Sequence, residues 1–322
     1  MVEQLGSDFK HCDISPNATL QADDIYVGQG ACIEEGVQIK AKKIYIGPGS
    51  KIERGTTICA LSGTMQEFRI GDECLIGFDN QIMAPEFSMG DYCQLHNNCL
   101  NSGYNPIQMG HNCWIGQGSI LNCTEKLTIG NNVRIGTNSQ LWTHIASGEL
   151  LEGCTMLGFK PLTIEDNVWI VGGAVISPGL VLARNSIIMT GSVLTKSTEP
   201  FHTYAGVPAK DVSDKLSFWK DVTQEDKFQM IQGFVKEFLI DRPVHEGVIH
   251  AIRSISDEDI GLYSGSVVVT PKFTNWQAAD KCGVSVFDLS TKTYLKQRSK
   301  VEIDWIRWSV GYRARFVPHV EH

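Results

Sequence analysis

His144 is the residue whose surroundings best suit chemistry. It stands in QLWTHIASG, three residues after Leu141, and the longest break in an otherwise regular pattern, 145–161, begins at the next residue. A neutral, positioned imidazole can take the proton of a hydroxyl as that oxygen attacks an activated carbonyl. The oxyanion that forms then needs a preorganised donor, most simply a main-chain N–H. His96 and His111, in LHNNCLNSGYNPIQMGHNC, suggest a second chemistry with His144, a three-histidine zinc site. The three lie one, two and three residues past an inward position, so within one subunit they face different ways; no metal is expected. The ten cysteines form no CxxC and run from Cys12 to Cys282. They are expected to be reduced. Cys74, Cys93, Cys99 and Cys113 each follow an aliphatic or Met (Ile70, Met89, Leu95, Met109) by four, which predicts small buried side chains.

The elements that position His144 are written in a six-residue repeat over 11–200. Aliphatics stand at Ile164, Ile170, Ile176, Leu182, Ile188 and Leu194. Three residues after the first five come Asn167, Gly173, Gly179, Asn185 and Gly191. The same pairing occurs at Ile46-Gly49, Ile52-Gly55, Leu95-Asn98, Met109-Asn112, Ile115-Gly118, Ile129-Asn132 and Ile135-Asn138. Gly and Asn most readily take positive φ, so each repeat reads as a short strand and a left-handed corner. Three such units close a coil of about 18 residues, and stacked coils make a parallel β-helix. The phase breaks at 61–69, 83–88, 100–108 and 145–161, places where a solenoid loops out toward a binding face.

The stretch IEDNVWIVGGAVISPGLVLARNSIIMTGSVLTK, with AGVPAK after it, resembles the hexapeptide-repeat acyltransferases, nearest the sugar, maltose and antibiotic O-acetyltransferase branch. The resemblance covers 11–210 and implies a left-handed parallel β-helix, a homotrimer and acetyl-CoA (or another acyl-CoA) as co-substrate. It implies His144 as the general base. It also implies a CoA groove between subunits along Trp169, Gly173, Ala174, Gly191 and Ser192, with Lys196 and Lys210 near the CoA phosphates and Pro208 in the Gly206-Val207-Pro208-Ala209 that matches the family's Gly-Asn-Pro-Ala, Val replacing Asn. Relatives carry a Glu three residues before the Lys-Pro that opens the next coil; here Leu157 precedes Lys160-Pro161. Glu149, Glu152 or a backbone carbonyl remain as orienting groups for His144. The polar segment 97–105, with Asn98, Asn101 and Tyr104, is expected to contact the acceptor.

Beyond Lys210 the hexads stop, and a small α+β domain is expected over 215–322. Thr223 followed by Glu225 and Asp226 reads as a helix start, and Phe228, Ile231, Val235 and Phe238 continue it to about 240. Strand-like runs follow in SGSVVVT, GVSVFDLST and KTYLKQ, with a hairpin turn in DLSTKTY. The alternation Val301-Glu-Ile303-Asp-Trp305-Ile predicts a half-buried strand. Trp276, Trp305 and Trp308 are expected in a core rather than on a sugar.

With 42% hydrophobic residues, 20% charged and a net charge of −8, the composition is that of a folded chain and argues against nucleic acid as a partner. No apolar run approaches the roughly 20 residues of a membrane span, and MVEQLGSDFKHC lacks the regions of a signal peptide. A cytoplasmic enzyme acetylating a hydroxyl of a sugar or polysaccharide precursor is the expected function. N-acylation of an amino-sugar nucleotide and a non-catalytic scaffold are the alternatives.

Overall fold

The computed structural model describes residues 11–256 and 258–319. Its contacts divide the chain into two compact units, with the boundary between Phe218 and Trp219.

The first unit is a left-handed β-helix with three faces of short parallel strands. One face stacks Lys51–Ile52, Leu75–Ile76, Gln94–Leu95, Trp114–Ile115, Arg134–Ile135, Trp169–Ile170 and Ile187–Ile188. The second stacks Gln81–Met83, Leu100–Gly103, Ile120–Cys123, Gln140–Leu141, Val175–Ile176 and Val193–Leu194, and the third runs from Met65–Ile70 to Val181–Leu182. Strict register puts Leu95, Ile115, Ile135, Ile170 and Ile188 in one inward column. All five are sealed from solvent, so each coil buries its aliphatics against the coils above and below.

All twelve Gly and Asn corners read from the repeat have positive φ, from 57° at Asn98 to 78° at Gly179. Glu73, Asp79 and Tyr92 hold the same kind of corner without the residue type that announces it. Asparagines also tie coil to coil: Asn112 Nδ2 donates to Asn132 Oδ1 at 3.0 Å, and Asn132 Nδ2 to Asn167 Oδ1 at 3.1 Å. Coils approach closely enough that a Cβ on Gly136 would collide with the Val171 carbonyl.

The 18-residue coil holds from Ile170 to Ile188, whereas Leu95 to Ile115 and Ile115 to Ile135 take 20. The extra residues sit where the second face turns into the third, at Ala84-Pro85, Tyr104-Asn105-Pro106 and Thr124-Glu125-Lys126. The phase breaks at 83–88 and 100–108 are therefore wider corners within coils, not loops leaving the solenoid. At 61–69 a loop, 60–64, lengthens the coil from Ile52 to Ile76 to 24 residues, and 145–161 departs as an arm: His144–Ala146 pairs antiparallel with Leu157–Phe159, and 147–156 joins them.

The four cysteines of the repeat are buried, and each Sγ–H donates across to the next coil. Cys74, Cys93 and Cys113 meet the carbonyls of Gly90, Gly110 and Gly130 at 3.0 Å, and Cys99 meets that of Gly116 at 3.4 Å. Ser50 and Ser119 fill equivalent places with hydroxyls, on Gly71 and Gly136. A small group that can donate one hydrogen bond is what the position selects.

In the second unit five strands run in the order Ile249–Ala251, Val267–Thr270, Ser285–Asp288, Thr293–Tyr294, Val317–Pro318, parallel except for the central hairpin Ser285–Asp288/Thr293–Tyr294. Helix α1 is Gln224–Asp241, capped by Thr223 in a reciprocal box with Asp226, and buries Phe228, Ile231, Val235 and Phe238. Helix α2 is Trp276–Lys281 and α3 is Lys300–Ser309. The expected strand at Val301 is thus a helix. Ser299 caps it by accepting from Glu302 N–H, and Val301, Trp305 and Ser309 fall on one face at four-residue spacing. Glu302 is also buried because its Oε2 accepts from the Ser285 hydroxyl and the main-chain N–H groups of Gln297 and Arg298. That network breaks the period-two reading. Trp305 is core, edge-on to Phe238 at 5.4 Å.

Candidate active site

His144 does not turn a left-handed corner as the repeat suggested; the chain leaves the coil there, and the residue opens the first strand of the arm. Its ring lies 6.2 Å from and nearly parallel to Phe159 across the arm, and edge-on to Trp142 at 6.0 Å. The coil beneath supplies its polar contacts. Nδ1 is 3.0 Å from Asn122 Oδ1 and 3.0 Å from Thr124 Oγ1.

The proton on this ring can be assigned from the surrounding network. Asn122 Oδ1 also accepts from the Thr143 hydroxyl at 2.7 Å, and from the Thr143 and Thr124 main-chain N–H groups at 3.3 Å each. Main-chain N–H groups only donate, so the atom facing them is the amide oxygen. An oxygen only accepts, so the Asn122 contact favours the neutral tautomer with the proton on His144 Nδ1 and the lone pair on Nε2. The hydrogen bonds of the ring go neither to Glu149 or Glu152 nor to a backbone carbonyl, and Leu157, where relatives carry the Glu, pairs with Ala146 in the arm. A side-chain carbonyl two coil positions away takes their place. With the 20-residue coil in hand, Asn122 and Thr124 are found 22 and 20 residues before His144, the neighbours stacked beneath it; the hexad alone hid them.

The three expected acceptor contacts separate. Tyr104 is 61% exposed, on the same wide corner as Thr124 and His144, where its N–H and that of Asn105 donate to Cys123 O. Asn98 turns the left-handed corner at the other end of the strand Leu100–Gly103. Asn101 is fully buried, in the inward column between Ile82 and Leu121, and cannot meet a substrate. Its place in the strand, facing inward, overrides its polarity.

Gly173 and Gly191 are successive corners, φ 59° and 68°, linked by Gly191 N–H to the Gly172 carbonyl at 2.9 Å. A Cβ on either would meet open space, so backbone conformation, not crowding, fixes these glycines. Ala174 and Ser192 turn their side chains inward, and Ser192 Oγ accepts from Gly206 N–H at 3.2 Å, tying the corner to the hairpin Thr203–Gly206/Ala209–Asp211. Pro208 is exposed at the tip of that hairpin, Lys210 is exposed on its return strand, and Lys196 is exposed just before it. Trp169 is 48% exposed on the first face, in register with Arg134 and Ile187. Gly173 and Gly191 precede the second-face strands, at the end away from His144, whereas Lys196 follows Val193–Leu194 and lies at the His144 end.

His111 belongs to a corner ladder: its Nδ1 accepts from Asp91 N–H at 2.8 Å, and its own N–H donates to Asn131 Oδ1 at 2.9 Å. His96 packs against the Trp114 ring, centroids 4.8 Å apart. Among the described residues no group of three or more His, Cys, Asp or Glu side chains is arranged to hold a metal ion, and no helix is long and apolar enough to cross a membrane.

Fold and site together define a stacked-coil protein with an oriented histidine at the foot of an arm. Residues 161–196 match the family described as hexapeptide repeat of succinyl-transferase. The chain is 34% identical over 165 residues to a chloramphenicol acetyltransferase of Agrobacterium fabrum, covering 44% of this chain and 73% of that one. It is 35% identical over 126 residues to a galactoside O-acetyltransferase of Escherichia coli, covering 37% and 62%. A solved maltose O-acetyltransferase from Clostridium difficile 630 aligns over 33% of this chain and 64% of its own at 28% identity and a TM-score of 0.27. The chain belongs to the hexapeptide-repeat acyltransferase family. It spans between 42 and 62% of the length of the first curated relatives it matches.

Proposed function

We propose that this protein is a CoA-dependent O-acyltransferase, transferring an acetyl group to a hydroxyl of a sugar or polysaccharide precursor, with His144 as general base. The observation that carries the reading is the bond from His144 Nδ1 to Asn122 Oδ1, which leaves a lone pair on Nε2. In the reaction Nε2 takes the acceptor's hydroxyl proton while that oxygen bonds to the thioester carbonyl carbon. The tetrahedral oxyanion then collapses, the C–S bond breaks, and the imidazolium returns the proton to the leaving thiolate. A hydroxyl needs this assistance more than an amine that has already lost its proton, which favours O- over N-acylation.

The acyl donor fits the far end of the same face. Gly173 and Gly191 leave a shelf without side chains, and exposed Lys210, in the hairpin tied to that corner through Ser192, is placed for the CoA phosphates, with exposed Lys196 as a second cation for them. Because this shelf and His144 occupy opposite ends of one coil face, a complete site needs the shelf of one subunit to meet the histidine of another, which supports a homotrimer. The similarity to a galactoside O-acetyltransferase supports a hydroxyl acceptor.

The test is thiol release from acetyl-CoA against sugars, nucleotide sugars, amino-sugar nucleotides and oligosaccharides. Hydroxyl-dependent turnover supports the reading. Turnover only with amino sugars would replace it by N-acylation, and absence of both turnover and CoA binding would leave a scaffold.

A further inference from the structure

The edge where the second face of the β-helix turns into the third carries more than His144. The second-face strands Thr57–Cys59, Gln81–Met83, Leu100–Gly103, Ile120–Cys123 and Gln140–Leu141 pair in parallel, each with the next. The segment that follows each strand therefore lies on this one edge, one coil from its neighbour. In order these are the loop 60–64, the corners 84–85, 104–106 and 124–126, and 142–144 with its arm. Loop and arm thus leave the same edge, four coils apart. At about 4.8 Å between neighbouring strands, His144 stands about 10 Å along the edge from Tyr104 and about 19 Å from the loop.

Tyr104 is the large exposed side chain between them, 61% open to solvent. Its backbone is nonetheless fixed. Its N–H and that of Asn105 share the Cys123 carbonyl at 2.9 Å each, and Asn105 Nδ2 donates to the Thr124 carbonyl at 2.6 Å. Behind it the coils are in contact: a Cβ on Gly103 would fall 2.2 Å from the Cys123 carbonyl carbon. An aromatic side chain on such a base gives up little freedom on binding, and it offers an apolar face with a polar tip. That combination suits a sugar ring, whose C–H face stacks while its hydroxyls stay solvated. The loop adds an exposed apolar group, Leu61, at the far end. A monosaccharide whose hydroxyl sits at His144 Nε2 does not span two coils; a chain of sugars laid along the edge does.

We infer that the acceptor is an oligosaccharide or polysaccharide chain running along this edge from His144 toward the loop 60–64, with a sugar ring beyond the acylated one stacked on Tyr104. The inference deepens the reading of His144 as the base for a sugar hydroxyl and rests on it.

Chains of one to six residues of glucose (malto-oligosaccharides) and of galactose are the probes. They are read as kcat/KM for thiol release from acetyl-CoA, and as binding to His144→Ala by saturation-transfer NMR. From monosaccharide to tetrasaccharide kcat/KM should rise at least tenfold and then level off. Tyr104→Ala should erase most of that rise and Tyr104→Phe should keep it, both melting with the parent protein. Equal kcat/KM for short and long chains, or a rise that survives in Tyr104→Ala, would overturn the inference and leave the acyltransferase reading in place. Length-dependent binding that needs the Tyr104 ring, without turnover, would remove the acyltransferase reading and keep the edge as a glycan track. Neither turnover nor binding with any chain would overturn both.

Discussion

The side-chain carbonyl of Asn122 lies 3.0 Å from Nδ1 of His144, one coil away, and is locked in orientation by three donors from Thr124 and Thr143. Asn122 therefore does for this histidine what a carboxylate does for many catalytic imidazoles, without adding a charge. The strand pairing of Ser102 with Asn122 and the bond between Thr143 and Asn122 make the arrangement a product of coil stacking. The arm contributes Phe159, which covers one face of the ring.

Removing that carbonyl should loosen the tautomer and the aim of the ring. Asn122→Ala is expected to lower kcat by about 10-fold or more, with little change in the KM for acyl-CoA. Asn122→Asp, which keeps an acceptor at the same place, should retain more activity than Ala and shift the pH–rate profile. Steady-state kinetics across pH check both; a loss confined to KM would mean that Asn122 binds ligand and does not position the base.

Asn101 is a liability of the coil interior. It is fully buried in a column of aliphatics, its Nδ2 reaches only the Gln81 carbonyl at 3.3 Å, and its Oδ1 has no partner. An unsatisfied buried amide costs about 1–3 kcal/mol, so Asn101→Val should raise the thermal midpoint while leaving turnover intact. A lower midpoint would show that the amide is needed where it stands.

The buried thiols should be inert. Burial pushes Cys99 up to about 11 and Cys123 to about 12. At pH 8 only about a thousandth of Cys99 is then thiolate, and iodoacetamide should label the partly exposed Cys154 and Cys282 first. Mass spectrometry of the folded protein reads the order directly, and labelling of Cys99 at the same rate would contradict the burial.

Asp211 links acid stability to the hairpin that follows the last coil. Its hydrogen bond to the Ser213 hydroxyl, and then its bond to His202, lower it to about 2 from an ordinary 3.8. A carboxyl with a depressed folded pKa contributes stability that is fully present above its unfolded pKa and is lost as pH falls through the folded value. The parent protein should therefore lose more thermal stability than Asp211→Asn between pH 4.5 and 2.5. Because the pair is exposed to solvent, the difference should be small and should shrink with salt. Equal losses would remove Asp211 from the account.

The β-helix was legible because its corners demand residues that take positive φ, and Gly and Asn mark most of them. Glu73, Asp79 and Tyr92 escaped because stacking, not residue type, holds them. His144 was visible from the arm that follows it. Asn122 was not, because its role depends on a coil two residues longer than the hexads imply, and coil length is set by the wide corners at Tyr104 and Thr124. Asn101 misled because its polarity suggested the surface, whereas side-chain alternation in Leu100–Gly103 turns it inward. In the second unit the period-two reading at Val301 failed because a buried Glu302, satisfied by Ser285 and two main-chain N–H groups, mimics the polar face of a strand.

The most direct measurement is the turnover of His144→Ala with the best acceptor, read as thiol release from acetyl-CoA. A general base held by Asn122 predicts a fall in kcat of about 10²–10⁴ with acyl-CoA binding preserved. Turnover equal to that of the parent protein would contradict the mechanism and require the acceptor to lose its proton without His144.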